Sequence, residues 1–455
     1  MSAIVTIDPA NGAVVERLAF MTPAQAEAKI AAAHEAARAW RERSIEERAA
    51  VLTAMGAKLR EERDHLALLA VREMGKPVLQ ARAEVEKCAW CCEYFAQNAG
   101  AMLADLDAPS SASRSFVAFR PLGIVLAIMP WNYPYWQVIR AAAPALMAGN
   151  AMLLKHAPNT TRCGLEIERL FREAGAPDGL FGALLLGDEE IDRRIADPRI
   201  SAVTLTGSER AGVAVASAAG AALKKCVLEL GGSDAFIVLA DADIEAAAKT
   251  AVFARFQNNG QSCIAAKRFI VVDAVHDAFV ERFVALTAAQ RVGDPADEAT
   301  QIGPMARADL MEGLHAQVRE TIEAGAVAAL GGYPVDAPGY FYSPTILTGV
   351  RPGMRAFDEE VFGPVAAVVR ARDAEHALEL ANASAYGLGC SLWTRDAALA
   401  QRLAARVEAG AVFVNGMVAS DPRLPFGGVK RSGYGRELSA FGIHEFVNIQ
   451  TVWIA

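Results

Sequence analysis

Apolar residues recur every three to four positions through residues 24–41 and 46–73, the spacing of helices that bury one face. Gly75-Lys76-Pro77 interrupts that pattern, and a further helix is predicted over 84–97. From Ser115 the period shortens. Residues 115–120 and 124–129 are short apolar or alternating runs separated by Pro121-Leu122-Gly123, as strands are. The chain then alternates: a strand at 151–155, a helix at 163–174, segments at 183–186, 188–196 and 202–206, and a helix at 211–220. After Gly231-Gly232 a second series begins, with strands at 235–239, 268–272 and 365–369 and helices at 243–256, 274–286 and 374–382. Alternation on this period predicts an α/β protein built on parallel, doubly wound sheets.

Length sharpens the picture. The 455 residues exceed the roughly 250–300 at which one core stops growing, so two substantial domains are expected, with a ligand cleft between them. With 53% apolar and 22% charged residues the chain is too hydrophobic to be disordered. A net charge of −8, without a basic run, argues against nucleic acid or an anionic membrane as partner. The N-terminal stretch lacks the basic and apolar regions of an export signal. The longest apolar runs, such as 123–130, fall short of the ~20 residues a membrane helix needs. Seven scattered cysteines, an odd number, fit reduced thiols in the cytoplasm. Cys88 and Cys91 have a C-x-x-C spacing, but no second pair accompanies them and a structural zinc takes about four ligands. They are expected to be core side chains, and no metal site is expected.

Three segments carry candidate chemistry. Phe256-Gln-Asn-Asn-Gly-Gln-Ser-Cys263-Ile is a polar, glycine-containing turn directly after an apolar helix, and it offers a thiol on a loop. Leu228-Glu229-Leu-Gly-Gly-Ser places an acid inside an apolar run, costly to bury unless paired or functional. Met129-Pro-Trp131-Asn132-Tyr-Pro-Tyr-Trp136-Gln-Val-Ile-Arg140 predicts a helix opening near Pro134, with Asn132 either capping it or serving chemistry.

Together these segments resemble the aldehyde dehydrogenase superfamily, and the likeness extends over nearly the whole chain. Leu205-Thr-Gly207-Ser208, Glu359-Glu360-Val-Phe362-Gly-Pro and the stretch from Leu424 through Phe426 to Glu437 are similar to further family segments. The resemblance implies that Cys263 attacks an aldehyde and that the Asn132 amide and the Cys263 N–H stabilise the oxyanion, each donor worth about 3 kcal/mol. It implies that hydride leaves to a nicotinamide and that Glu229 acts as general base on the resulting thioester. It implies an aldehyde dehydrogenase-like fold: a Rossmann-type cofactor domain at 1–111 and 122–231, a catalytic α/β domain at 232–430, and oligomerisation strands at 112–121 and 431–455. A homodimer or homotetramer is implied.

No Gly-x-Gly-x-x-Gly occurs. Thr206-Gly207-Ser208 with Gly212 instead opens a helix whose N-terminus can receive a pyrophosphate. By resemblance Trp131, Leu230, Glu360 and Phe362 also contact the cofactor, and Lys155 holds the adenosine ribose. Many NAD-preferring relatives carry a Glu three residues after that lysine. Here the position is Pro158, so the carboxylate that would repel a 2′-phosphate is missing. NADP is the expected cofactor, with NAD the alternative; His156 either adds positive charge or packs inward.

The same segments are similar to the short succinic semialdehyde dehydrogenase branch, which implies oxidation of succinate semialdehyde to succinate. Trp136 and Arg140 lie i, i+4 on one helix and offer an apolar wall and a carboxylate clamp; Ser420, in the loop before Phe426, offers the same carboxylate a second hydrogen bond, and Phe426 is a further expected substrate contact; Arg140 alternatively holds a structural salt bridge. Glutarate semialdehyde differs by one methylene, worth only about 1–3 kcal/mol of discrimination. A thiol esterase built on the same Cys, Asn and Glu is the rival class, and the cofactor segment argues against it.

Overall fold

The computed structural model describes residues 3–455; Met1 and Ser2, the start of the N-terminal stretch read above, lie outside the described residues. A hairpin of Ile4–Ile7 with Val14–Leu18 precedes four helices, Pro23–Trp40, Ile45–Glu61, Arg63–Met74 and Val78–Met102. Thr22 and Ser44 cap the first two, each accepting the amide three residues on while Gln25 or Glu47 reaches back, so backbone donors are satisfied reciprocally. The single helix expected over 46–73 is two, because Glu62 leaves helical geometry at φ −103° and ψ 16°. Gly75 ends the third helix at φ +74°, where an added Cβ would meet Pro304 at 2.7 Å, so the position needs glycine twice over. Cys88, Cys91 and Cys92 are fully buried in the core of Val78–Met102, and the seven cysteines are unpaired.

Two open sheets position the site. The first has six strands in the order Gly433–Tyr434, Lys225–Glu229, Ile200–Thr206, Ile124–Met129, Ala151–His156 and Phe181–Ala183, parallel except at the first edge. Its central strands are apolar and buried on both faces, as a parallel sheet covered by helices requires. The outermost strand ends at Ala183, where the expected one begins. The second sheet has seven strands in the order Val327–Leu330, Thr345–Thr348, Val365–Ala371, Ala266–Val272, Asp234–Val238, Gly389–Trp393 and Ala411–Val414, again with one antiparallel edge. Leu230, Gly231, Gly232 and Ser233 are the whole link between Lys225–Glu229 and Asp234–Val238. Glu229, Thr206 and Met129 therefore stand at the carboxyl ends of neighbouring strands, the end at which open α/β sheets bind ligands. Among the described residues no helix is long and apolar enough to cross a membrane.

Val447–Ile454 pairs antiparallel with Arg114–Pro121 over eight residues, and Leu106–Asp107 adds a short third strand. The expected arm at 431–455 is thus divided: Gly433–Tyr434 joins the edge of the six-stranded sheet, since its backbone bonds Lys225–Glu229, and only Val447–Ile454 joins Arg114–Pro121 in the separate ribbon. Ile449, Trp453 and Ile454 are exposed on it.

One buried ion pair fixes the helix that will matter most. Glu84 contacts Lys76, both side chains almost fully buried, and its Oε1 accepts the Tyr135 and Trp136 N–H groups at 2.9 Å each. The helix Trp136–Met147 is therefore capped from another helix rather than by its own chain. Glu84→Ala strands an ammonium and two amides, an expected loss of about 3–5 kcal/mol. A urea midpoint matching wild type would show that the pair does not hold the helix start.

Candidate active site

The turn after the helix Ile244–Phe256 runs through three consecutive left-handed residues, Asn258 (φ 53°), Asn259 (φ 58°) and Gly260 (φ 71°). Such a run is unfavourable for side-chain-bearing residues and persists only when its surroundings dictate it. Asn258 Nδ2 donates to the carbonyls of Asn132 (2.8 Å) and Gln261 (3.0 Å), and Asn259 Nδ2 to those of Gly75 and Pro304 (2.8 Å each). Arg255, fully buried, donates to the carbonyls of Gly260, Gly363 and Ala266. Lys267 Nζ completes the clamp by donating to the Ser262 and Cys263 carbonyls at 2.8 and 2.6 Å. These bonds tie the turn that carries Cys263 to Gly75, Asn132, Pro304 and Gly363.

Cys263 stands where two cavities meet; it and Gln137 line both. One, of about 180 Å³, is walled by Tyr133, Trp136, Arg140, Ser420 and Phe426. The other, of about 240 Å³, is walled by Trp131, Asn132, Gly207, Ser208, Glu360 and Phe362, with Leu230. Burial pushes the Cys263 thiol up to about 12, while Arg140 and Lys267 pull the other way, so the resting group is the thiol.

Asn132 does not cap the following helix. Its Nδ2 donates to the Gln261 carbonyl at 3.1 Å and its buried Oδ1 has no partner, which leaves the amide in the wall beside Cys263. Glu229 is buried at its strand end with neither carboxyl oxygen bonded. It lines neither cavity; its carboxyl lies so close to Gly427 that a Cβ there would meet Oε1 at 2.7 Å. Burial, and then the neighbouring Glu437, raise its pKa well above the carboxylate range.

On the second cavity's side, Ser208 caps the helix Glu209–Ala221 by accepting the Ala211 N–H, leaving the helix N-terminus facing the cavity. Gly212 lets that helix approach, since a Cβ would meet Leu230 at 2.6 Å. Trp131 and Phe362 stand edge to face 5.8 Å apart. Glu360 accepts the Gly232 N–H at 2.9 Å and pairs with Lys267 at 3.5 Å, and a Cβ on Gly231 would fall 2.3 Å from its carboxylate. Lys155, at its strand end, bonds Asp188 at 2.5 Å and lines neither cavity. His156 packs inward: its Nε2 is 2.8 Å from the Pro134 carbonyl, and burial pulls it down to about 4, so it adds no charge.

On the first cavity's side, Arg140 is buried in an ion pair with Glu437, bonds Thr206 Oγ1 at 3.3 Å and lies 4.6 Å from the Phe426 ring centre. It thus holds a salt bridge while still lining the cavity. Ser420 Oγ accepts from Lys87 Nζ at 2.8 Å, and that ammonium lies over the Trp136 ring. Lys87, Lys267 and Asp188 escaped the sequence reading, and Glu437 entered it only as the end of a family-like stretch. For Lys87 a signal existed: Gln80, Glu84 and Lys87 follow i, i+4, i+7, a polar line along one side of the helix Val78–Met102.

The aldehyde dehydrogenase family profile matches residues 2–452. The chain is similar to succinate semialdehyde dehydrogenase (NAD(P)+) of Escherichia coli (strain K12), at 51% identity over 99% of this chain and 97% of that protein. It is 50% identical to a probable succinate-semialdehyde dehydrogenase (NADP+) of Synechocystis sp., covering all of both. Among solved structures, succinic semialdehyde dehydrogenase from Streptococcus pyogenes in complex with NADP+ superposes at a TM-score of 0.97 and 38% identity, over 99% of this chain and all of that one.

Proposed function

Because the chain belongs to the aldehyde dehydrogenase family, we propose that it oxidises succinate semialdehyde to succinate with NADP or NAD, using Cys263 as nucleophile. The observation that carries this reading is the placement of Cys263 in the shared wall of two cavities, one cationic and aromatic, the other backed by a helix N-terminus and a carboxylate.

The second cavity fits a nicotinamide dinucleotide: Gly207 and Gly231 leave its wall free of side chains, Gly212 lets the helix Glu209–Ala221 pack against Leu230 in that wall, and Ser208 turns amide donors toward a pyrophosphate. Trp131, Gly207, Ser208, Leu230, Glu360 and Phe362 would hold it, with Lys155 at the adenosine end. When bound, the nicotinamide supplies the acceptor for the hydride that leaves the substrate carbon. The chain's own residues do the rest. Cys263 passes its thiol proton to solvent water and adds as the thiolate to the aldehyde carbon, and the oxyanion takes bonds from the Asn132 amide and the Cys263 N–H. After oxidation the acyl group is a thioester on Cys263. Glu229, its pKa raised, takes a proton from water as the hydroxyl adds to that thioester, and the thiolate leaves. Reaching the water requires the Glu229 side chain to turn from Gly427 toward Cys263. Trp136, Arg140, Ser420 and Phe426 receive the far end of the substrate.

Asp188 bears on cofactor choice. The carboxylate missing after Lys155 in sequence is supplied on the same lysine from another segment. Asp188→Asn should favour the 2′-phosphate, lowering KM for NADP relative to NAD by roughly two- to fivefold, the scale of an exposed pair. An unchanged ratio of the two constants would mean that Lys155 is not shared.

The three-stranded ribbon, with its exposed Ile449, Trp453 and Ile454, supports a homodimer or homotetramer, and the unpaired thiols fit a cytoplasmic protein. The test of function is absorbance of reduced cofactor with succinate semialdehyde, glutarate semialdehyde and butanal. Turnover with butanal alone would remove the carboxylated substrate.

A further inference from the structure

Three cations line the cavity that holds Cys263: Lys76, Lys87 and Arg140. Two already have a counter-charge. Lys76 is buried against Glu84 and Arg140 against Glu437. Lys87 forms no ion pair among the described residues; its ammonium donates to Ser420 Oγ at 2.8 Å and lies 4.3 Å from the centre of the Trp136 ring. Both of those partners are neutral. Asp421, the next residue of the loop, is taken by Arg423, which bonds both its oxygens. Burial and the nearby Arg140 pull the Lys87 ammonium down to about 8, the behaviour of a cation short of counter-charge. An ammonium removed from water and left without a carboxylate loses solvation that an incoming anion restores.

We propose that Lys87, with the Ser420 hydroxyl beside it, is the receptor for the ω-carboxylate of the substrate and sets the preference for a semialdehyde over an uncharged aldehyde. The inference rests on the reading of the substrate as an ω-carboxylated aldehyde. A carboxylate entering this end of the cavity gains more from Lys87 than from Arg140, whose charge is shared with Glu437. The Ser420 oxygen accepts from Lys87, which leaves its own proton to donate to the second carboxylate oxygen. Trp136 and Phe426 flank the same cavity and cover the methylenes between the two ends.

The test compares kcat and KM for succinate semialdehyde and for butanal in wild type, Lys87→Met and Lys87→Arg, with melting temperatures recorded for each. Lys87→Met should cut the preference for succinate semialdehyde, as the ratio of the two kcat/KM values, by about 10- to 100-fold, the scale of a hydrogen bond to a charged group. The loss should fall in KM, and Lys87→Arg should recover most of it. If the methionine variant does not fold, Lys87→Gln takes its place. A preference kept without the charge, or an equal loss with both aldehydes, overturns the assignment. A wild type that does not prefer the semialdehyde at all defeats the substrate reading instead, and this is visible before any variant is made.

Discussion

Cys263→Ala should abolish formation of reduced cofactor, with kcat down by about four to six orders of magnitude, the scale found when a nucleophile is removed from an assembled site. The size follows from position. No other cysteine can substitute: Cys88, Cys91, Cys92, Cys163, Cys226 and Cys390 line neither cavity. The fold should survive, because the turn is held through backbone carbonyls and the flanking asparagines, none of which uses the sulfur. Reduction of NADP or NAD followed by absorbance, beside a melting curve, decides it. Residual turnover within tenfold of wild type in a folded variant would assign the chemistry elsewhere.

Glu229→Gln should separate the two half-reactions. Acylation needs no base at that position, so the first turnover should proceed and release one equivalent of reduced cofactor per site. Hydrolysis should then slow by about two to four orders of magnitude, the usual worth of a positioned general base. Mass spectrometry should find the acyl group on Cys263. In wild type, deacylation should rise with pH as the Glu229 carboxyl, raised by burial and by Glu437, loses its proton; the glutamine variant should lose that limb. A burst followed by wild-type turnover would remove Glu229 from the hydrolytic step.

The alternating pattern after Ser115 was readable because parallel strands covered on both faces are continuous apolar runs, and that periodicity is local. The break at Glu62 was not, because both halves keep helical spacing and only the backbone departs. The thiol, the buried acid and the amide were legible as residue types in unusual settings. Their neighbours were not. Asp188 reaches Lys155 across 33 positions, and Ser420 meets Lys87 across 333. Pairings at such separation leave no trace in spacing, so reading Pro158 as an absent carboxylate was right about the strand end and silent about the loop that supplies one. Lys87 sat in a readable stripe, but the stripe says only that one helix face is polar, not what it faces.

The left-handed turn before Cys263 has a bearing on transplantation. Its shape is imposed by donors from Arg255, Lys267 and the two asparagines onto carbonyls as distant as Gly75 and Gly363. A nine-residue cassette of this turn grafted into a foreign barrel would relax to ordinary conformers, since Arg255, Lys267 and the carbonyls of Gly75 and Pro304 that bend it would stay behind.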